Sequence, residues 1–159
     1  MTFKTADLCD AHAGKVQVVH PGLSNFGGRV RFCGEIVTIR AMGDFSRVRD
    51  QVRSAGAGKV LVVDNDASMQ VAMLGDLLAA AGLQNGWEGA VINGCIRDAA
   101  EIIGMDIGVK ALASVPARGS RADLGELNVE LNFLDAVFRP GDFLYSDEDG
   151  ILLSAQVLL

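Results

Sequence analysis

The sequence has no cysteine pair at CxxC spacing. Cys9, Cys33 and Cys95 are scattered and odd in number, so neither a zinc cluster nor a disulfide framework is supported. They read as reduced thiols packed as small hydrophobes. Histidine is scarcer still, and His12 and His20 are not spaced as ligands to one site. Positive charge is in short supply: 14 Lys and Arg face 20 Asp and Glu, for a net charge of −6. That balance argues against a nucleic-acid surface and leaves room for a basic protein partner. No apolar run approaches membrane-spanning length. The first ten residues carry Lys4, Asp7 and Asp10 without an apolar segment, unlike a signal peptide. These absences predict a soluble cytoplasmic protein with no membrane contact.

Several catalytic signatures are missing too. There is no phosphate-loop motif and no Gly-x-Ser-x-Gly elbow. Gly56-Ala57-Gly58 precedes a strand-like run instead of joining strand to helix, so it is no dinucleotide fingerprint. A nucleotide-driven enzyme, a serine-nucleophile enzyme and an S-adenosylmethionine Rossmann domain are all disfavoured. Asp147-Glu148-Asp149-Gly150 looks like part of a calcium loop, but the twelve-residue pattern is absent. It reads as an acidic turn.

Apolar material is plentiful: half of the 159 residues. That is enough for a real core and too much for disorder, and the length predicts one domain spanning residues 1–159. A capping residue and helix formers predict a helix over Thr5–His12, closed by Gly14. Asp44–Ala55 reads as an amphipathic helix with Arg47, Arg49 and Arg53 mostly outside. Helices are also expected from Asp76 to Leu83 and from Asp98 to Ile103. Strands are expected at Val16–Val19, Gly34–Ala41, Val60–Asp64, Gly89–Asn93, Val109–Ser114, Val129–Phe133, Ala136–Phe138, Asp142–Tyr145 and Ile151–Ser154. Met69–Leu74 suits helix or strand, and a short strand is preferred. Ser24–Arg29 and Arg118–Glu126 read as loops. The order predicts a mixed α/β sandwich whose sheet is partly parallel, with an oligomer covering whatever the few helices leave open.

One stretch organises the rest. Gly75-Asp76-Leu77-Leu78 opens a helix, and a strand then leads to Arg97-Asp98. One helix and one strand form a single supersecondary unit, so both ends can meet at one edge of the sheet, where α/β folds collect ligands. Asp98 is either a metal ligand or the cap of the next helix. Arg97 either grips a carboxylate with two parallel hydrogen bonds or pairs with Glu101 on the surface. Gly75 to Leu78 offer free amides at a helix N-terminus. Asp76 either caps that helix or holds a metal-bound water.

The Asp76 to Arg97-Asp98 pattern resembles that of the divalent-metal-dependent 4-hydroxy-4-methyl-2-oxoglutarate aldolases. Ser24-Asn25-Phe26-Gly27-Gly28, Lys59 to Asp64, Asn85 to Gly89, Asp106 to Leu112 and Pro140-Gly141-Asp142 resemble the similarly folded regulators of ribonuclease E activity A. The sequence resembles the regulator in body and the aldolase in site. Two departures are visible: Asn65-Asp66-Ala67-Ser68 stands where the family usually has a glycine-rich run, and a Gly-Gly that the family has near Leu134-Asp135 is missing.

The resemblance implies a β/β/α sandwich like the swivelling phosphohistidine domain, assembled as a trimer with sites at subunit boundaries. It implies a lyase in which Asp98 holds Mg²⁺ or Mn²⁺ and the keto acid substrate chelates the metal. Arg97 and the amides of Gly75, Asp76, Leu77 and Leu78 would bind the substrate, and Asp76 would position a water for proton transfer. Carbon–carbon cleavage would give pyruvate through a metal-stabilised enolate, with oxaloacetate decarboxylation as a side activity. The regulator branch implies the alternative, a non-catalytic protein that binds and inhibits ribonuclease E.

Overall fold

The computed structural model describes residues 2–159. Its backbone is one ten-stranded mixed sheet, three helices over one face of it, a two-stranded hairpin over the other, and a separate N-terminal helix. The parallel half is built from β3 (Phe32–Arg40), β4 (Lys59–Asp64), β6 (Gly89–Ile96) and β7 (Gly108–Ser114), in that spatial order. The antiparallel half runs outward from β3 through β11 (Phe143–Ser146) and β12 (Ile151–Ser154) to β1 (Val16–Val18). β3 therefore carries parallel pairing on one edge and antiparallel pairing on the other.

The near-continuous apolar runs of β4 and β6 are explained by cover on both faces. Leu61 and Val63 of β4 point into the helix-side core with Ile92, Ile96 and Ile102. Val60 and Val62 point the opposite way, into a second core with Phe138, Leu131 and Leu144. Three helices cover the first face: α2 (Ser46–Val52), α3 (Asp76–Gln84) and α4 (Ala99–Ile102). The hairpin of β9 (Leu131–Phe133) and β10 (Ala136–Phe138) covers the second, with Phe133 and Phe138 stacked at 4.2 Å. Phe32 lies so close to the β7 backbone that a Cβ on Gly108 would sit 2.2 Å from its ring, so only glycine fits there.

The mixed α/β expectation is met, with differences at the element level. Ser24–Asn25, expected in a loop, forms a two-residue strand β2 on the edge of β7. Glu126–Leu127 forms another, β8, against β3. β6 runs three residues beyond Asn93, which delivers Arg97 and Asp98 to the sheet end. Met69–Leu74 resolves as β5 (Ala72–Leu74), parallel to β6. The first helix, α1 (Thr5–Ala11), is not capped by its own sequence. Asp147, from the acidic turn between β11 and β12, accepts the Thr5 amide at 2.7 Å and the Thr5 hydroxyl at 2.6 Å. A carboxylate at a helix N-terminus satisfies its orphan donors and its dipole. Among the described residues, no helix is long and apolar enough to cross a membrane.

Candidate active site

β5 and β6 end side by side. Leu74 leads into Gly75 and α3, and Ile96 leads into Arg97-Asp98 and α4. The Arg97 amide donates to the Leu74 carbonyl at 2.9 Å, which closes the two strand ends on one another. Twenty-two residues apart in sequence, Asp76 and Asp98 then touch: the Asp76 amide donates to Asp98 Oδ2 at 3.0 Å. So Asp98 occupies the cap position of α4, yet its side chain makes no cap hydrogen bond to that helix. It reaches across to the N-terminus of α3.

Two backbone features make this contact possible. Asp98 takes left-handed dihedrals, φ 59° and ψ 43°, a conformation that Asp tolerates better than most residues. Gly75 leaves room for the crossing: a Cβ there would lie 2.7 Å from Asp98 Oδ2 and 3.3 Å from Arg97 Cγ and Nε. Any side chain at position 75 would push the carboxylate or the guanidinium away.

The amide of Asp76 holds the Asp98 carboxyl below its ordinary pKa against the opposing effect of burial, and the Arg97 charge adds to it. Asp98 is therefore a carboxylate at neutral pH. Arg97 Nε lies 4.0 Å from Asp98 Oδ2, and each side chain is about a third exposed. Arg97 makes no ion pair with Glu101 among the described residues. Asp76 Oδ1 accepts its neighbour's amide, Leu77 N–H, at 2.8 Å. Two of the four amides expected to face a ligand are thus engaged by carboxylates, and those of Gly75 and Leu78 remain.

These residues line one cleft of about 170 Å³. Its donors to a cation are carboxylate oxygens. Among the described residues no group of three His, Cys, Asp or Glu side chains converges, so a closed tetrahedral zinc site is not built here. A hard cation that keeps most of its waters and takes one or two carboxylates fits the donor set. The sequence reading missed the rest of the lining. Arg49 and Arg53, expected on the outer face of α2, border the cleft, as do Arg118 and Arg121 from the polar loop. The i, i+4 spacing of Arg49 and Arg53 was the available signal, since it places both on one helix face.

Comparison with known proteins gives a consistent likeness. Residues 5–153 match the family RraA-like, described as Aldolase/RraA. A protein of Azotobacter vinelandii named "Putative 4-hydroxy-4-methyl-2-oxoglutarate aldolase" is 52% identical over 158 residues, 99% of this chain and 98% of its own. A solved structure described as the RNA-processing inhibitor RraA from Thermus thermophilis superposes with a TM-score of 0.95 at 38% identity. It covers 98% of this chain and 94% of its own. Another, described as an S-adenosylmethionine:2-dimethylmenaquinone methyltransferase from Geobacillus kaustophilus HTA426, gives 0.96 at 38% identity, with 98% and 97% covered.

Proposed function

This chain belongs to the RraA-like, Aldolase/RraA family, and from that premise we propose that it is a divalent-metal-dependent aldolase. The substrate is 4-hydroxy-4-methyl-2-oxoglutarate and the product pyruvate. The observation that carries this reading is the contact of Asp98 with the α3 N-terminus across Gly75. It gathers an ionised carboxylate, a guanidinium and free amides in one cleft.

In this reading Asp98 holds Mg²⁺ or Mn²⁺, with Asp76 beside it, and the cation supplies Lewis-acid polarisation of the substrate's keto oxygen when bound. Arg97 and the amides of Gly75 and Leu78 bind the carboxylate and keto oxygens of the keto acid end. Cleavage passes the proton of the C4 hydroxyl to a water beside Asp76 and breaks the C3–C4 bond. One pyruvate leaves from the hydroxyl-bearing half. The bonding pair stays on the other half as an enolate, and Arg97 faces the charge that develops there. Asp76, with one carboxylate oxygen engaged by Leu77, orients a water for proton transfer to C3. Loss of CO₂ from oxaloacetate leaves the same enolate, so decarboxylation accompanies aldol cleavage. The protein acts in the cytoplasm as a homotrimer, with a neighbouring subunit closing each cleft.

Pyruvate release from 4-hydroxy-4-methyl-2-oxoglutarate and from oxaloacetate tests this. Mg²⁺ supports release, excess EDTA abolishes it, and Asp98→Ala lowers kcat/KM by about 10³-fold. Metal-independent release, or an Asp98→Ala variant with full activity, sinks the proposal.

The likeness to the RNA-processing inhibitor over nearly the whole chain favours a second reading, a protein that binds and restrains ribonuclease E. A folded, metal-replete protein that releases no pyruvate but is retained by immobilised ribonuclease E would put this reading first. The methyltransferase description of the other solved relative is not adopted, because the chain lacks a glycine fingerprint between strand and helix.

A further inference from the structure

The chain carries ten arginines and four lysines against a net charge of −6. Five of those arginines, and no lysine, line the one cleft that holds Asp76 and Asp98. Positive charge in an acidic protein is concentrated at its candidate site. Arg97 is accounted for by the keto acid end of the substrate. Arg49 is held by Asp50 at 3.1 Å and Asp123 at 3.6 Å. Arg118 and Arg121 are exposed and make no ion pair or side-chain hydrogen bond among the described residues.

The loop beneath these two side chains is fixed. Buried Asp44 accepts the Ser120 hydroxyl at 2.7 Å and the Ala122 amide at 2.6 Å. The Ser120 carbonyl accepts the Phe45 amide at 2.9 Å, and the Gly119 amide donates to the Ala72 carbonyl at 3.0 Å. Ser46 Oγ takes the Asp123 amide at 3.1 Å. Residues 119, 120, 122 and 123 are tied down, while 118 and 121 project free side chains. The Arg118 guanidinium lies 5.9 Å over the Phe45 ring, which orients it without neutralising it. Held cations without an anion of their own form a receptor for a ligand's anion.

We propose that Arg118 and Arg121 bind the substrate carboxylate remote from the keto acid group, and that they set a preference for 2-keto diacids over 2-keto monoacids. The assignment rests on the keto acid reading of Arg97 and Asp98.

Calorimetric titration with Mg²⁺ present tests it, using 2-oxoglutarate and 2-oxopentanoate, which differ only in a terminal carboxylate against a methyl group. The protein prefers the diacid at least tenfold. Arg118→Gln and Arg121→Gln each reduce that preference about tenfold, and the lysine variants restore part of it. Asp98→Ala weakens both ligands and leaves their ratio in place. Equal affinity of the unaltered protein for the two acids overturns the remote-carboxylate assignment, as does an equal fall for both acids in the arginine variants. A diacid preference that depends on the arginines, with the affinity for neither acid lowered by Asp98→Ala, supports the assignment and overturns the keto acid reading instead.

Discussion

Eight described residues other than glycine have positive φ. Four of them fall in two adjacent pairs: Asp66 and Ala67, each at φ 55°, and Leu134 and Asp135 at φ 48° and 57°. The backbone at both places takes the left-handed geometry that glycine accepts without cost. Asp tolerates it better than most residues. Ala67 and Leu134 have no polar side chain to ease it, and Leu134 is held by packing against the second core. Replacing exposed Ala67 by glycine removes about 1–2 kcal/mol of strain and returns some of that as unfolded-chain entropy. Ala67→Gly therefore raises stability by about 0.5–1 kcal/mol, read as a higher urea midpoint at constant m-value. A lower midpoint would contradict this account. These left-handed pairs were not legible in the sequence, because nothing local in Asn65-Asp66-Ala67-Ser68 dictates positive φ.

Among the elements, the junction of α2 with the loop from Arg118 to Glu126 has the clearest pH signature. Burial would raise the Asp44 pKa, but hydrogen bonds from Ser46, Ser120 and Ala122 outweigh it and bring it to about 2. The folded value lies below the ordinary 3.8. Asp44 thus contributes stability that is complete above about pH 4 and lost as pH falls through 2, a contribution of about 2 kcal/mol. The stability gap between the unaltered protein and Asp44→Asn is about 2 kcal/mol at pH 6 and closes towards pH 2, as chemical denaturation would show. A gap independent of pH would refute it. Sequence reading identified Asp44 as the start of a helix. It could not show that the same carboxylate anchors a loop 76 residues away. The long elements were legible because apolar periodicity marks them. β2 and β8, at two residues each, are too short to carry a period. In the site, the residue types at Gly75, Asp76, Arg97 and Asp98 were legible. The arginine rim was not, because it is assembled by three separate segments.

At the scale of the whole molecule, several large apolar side chains lie exposed. Leu77, at the rim of the cleft, is 80% exposed, and Met42, Met69 and Ile103 are each more than half exposed. An exposed apolar side chain such as Leu77 at the rim of the cleft suits a contact surface, as the proposed trimer requires of a second subunit at each site. Sedimentation equilibrium is expected to give about 50 kDa, three chains of 16.7 kDa. A monomer mass across the micromolar range would exclude it.

The pairing of β1 with β12 has a consequence for how the protein is made. Val16 meets Ser154, so the outer edge of the sheet joins segments 138 residues apart in sequence. At about 5–20 residues per second on the ribosome, Val16–Val18 waits roughly 7–28 s for its partner. Over that interval the parallel strands, whose crossovers are short and sequential, can assemble behind it. The Thr5 amide and hydroxyl wait as well, since Asp147 lies 142 residues further along the chain. The segment from Thr5 to Val18 is made well before the turn and the strand that lock it in place.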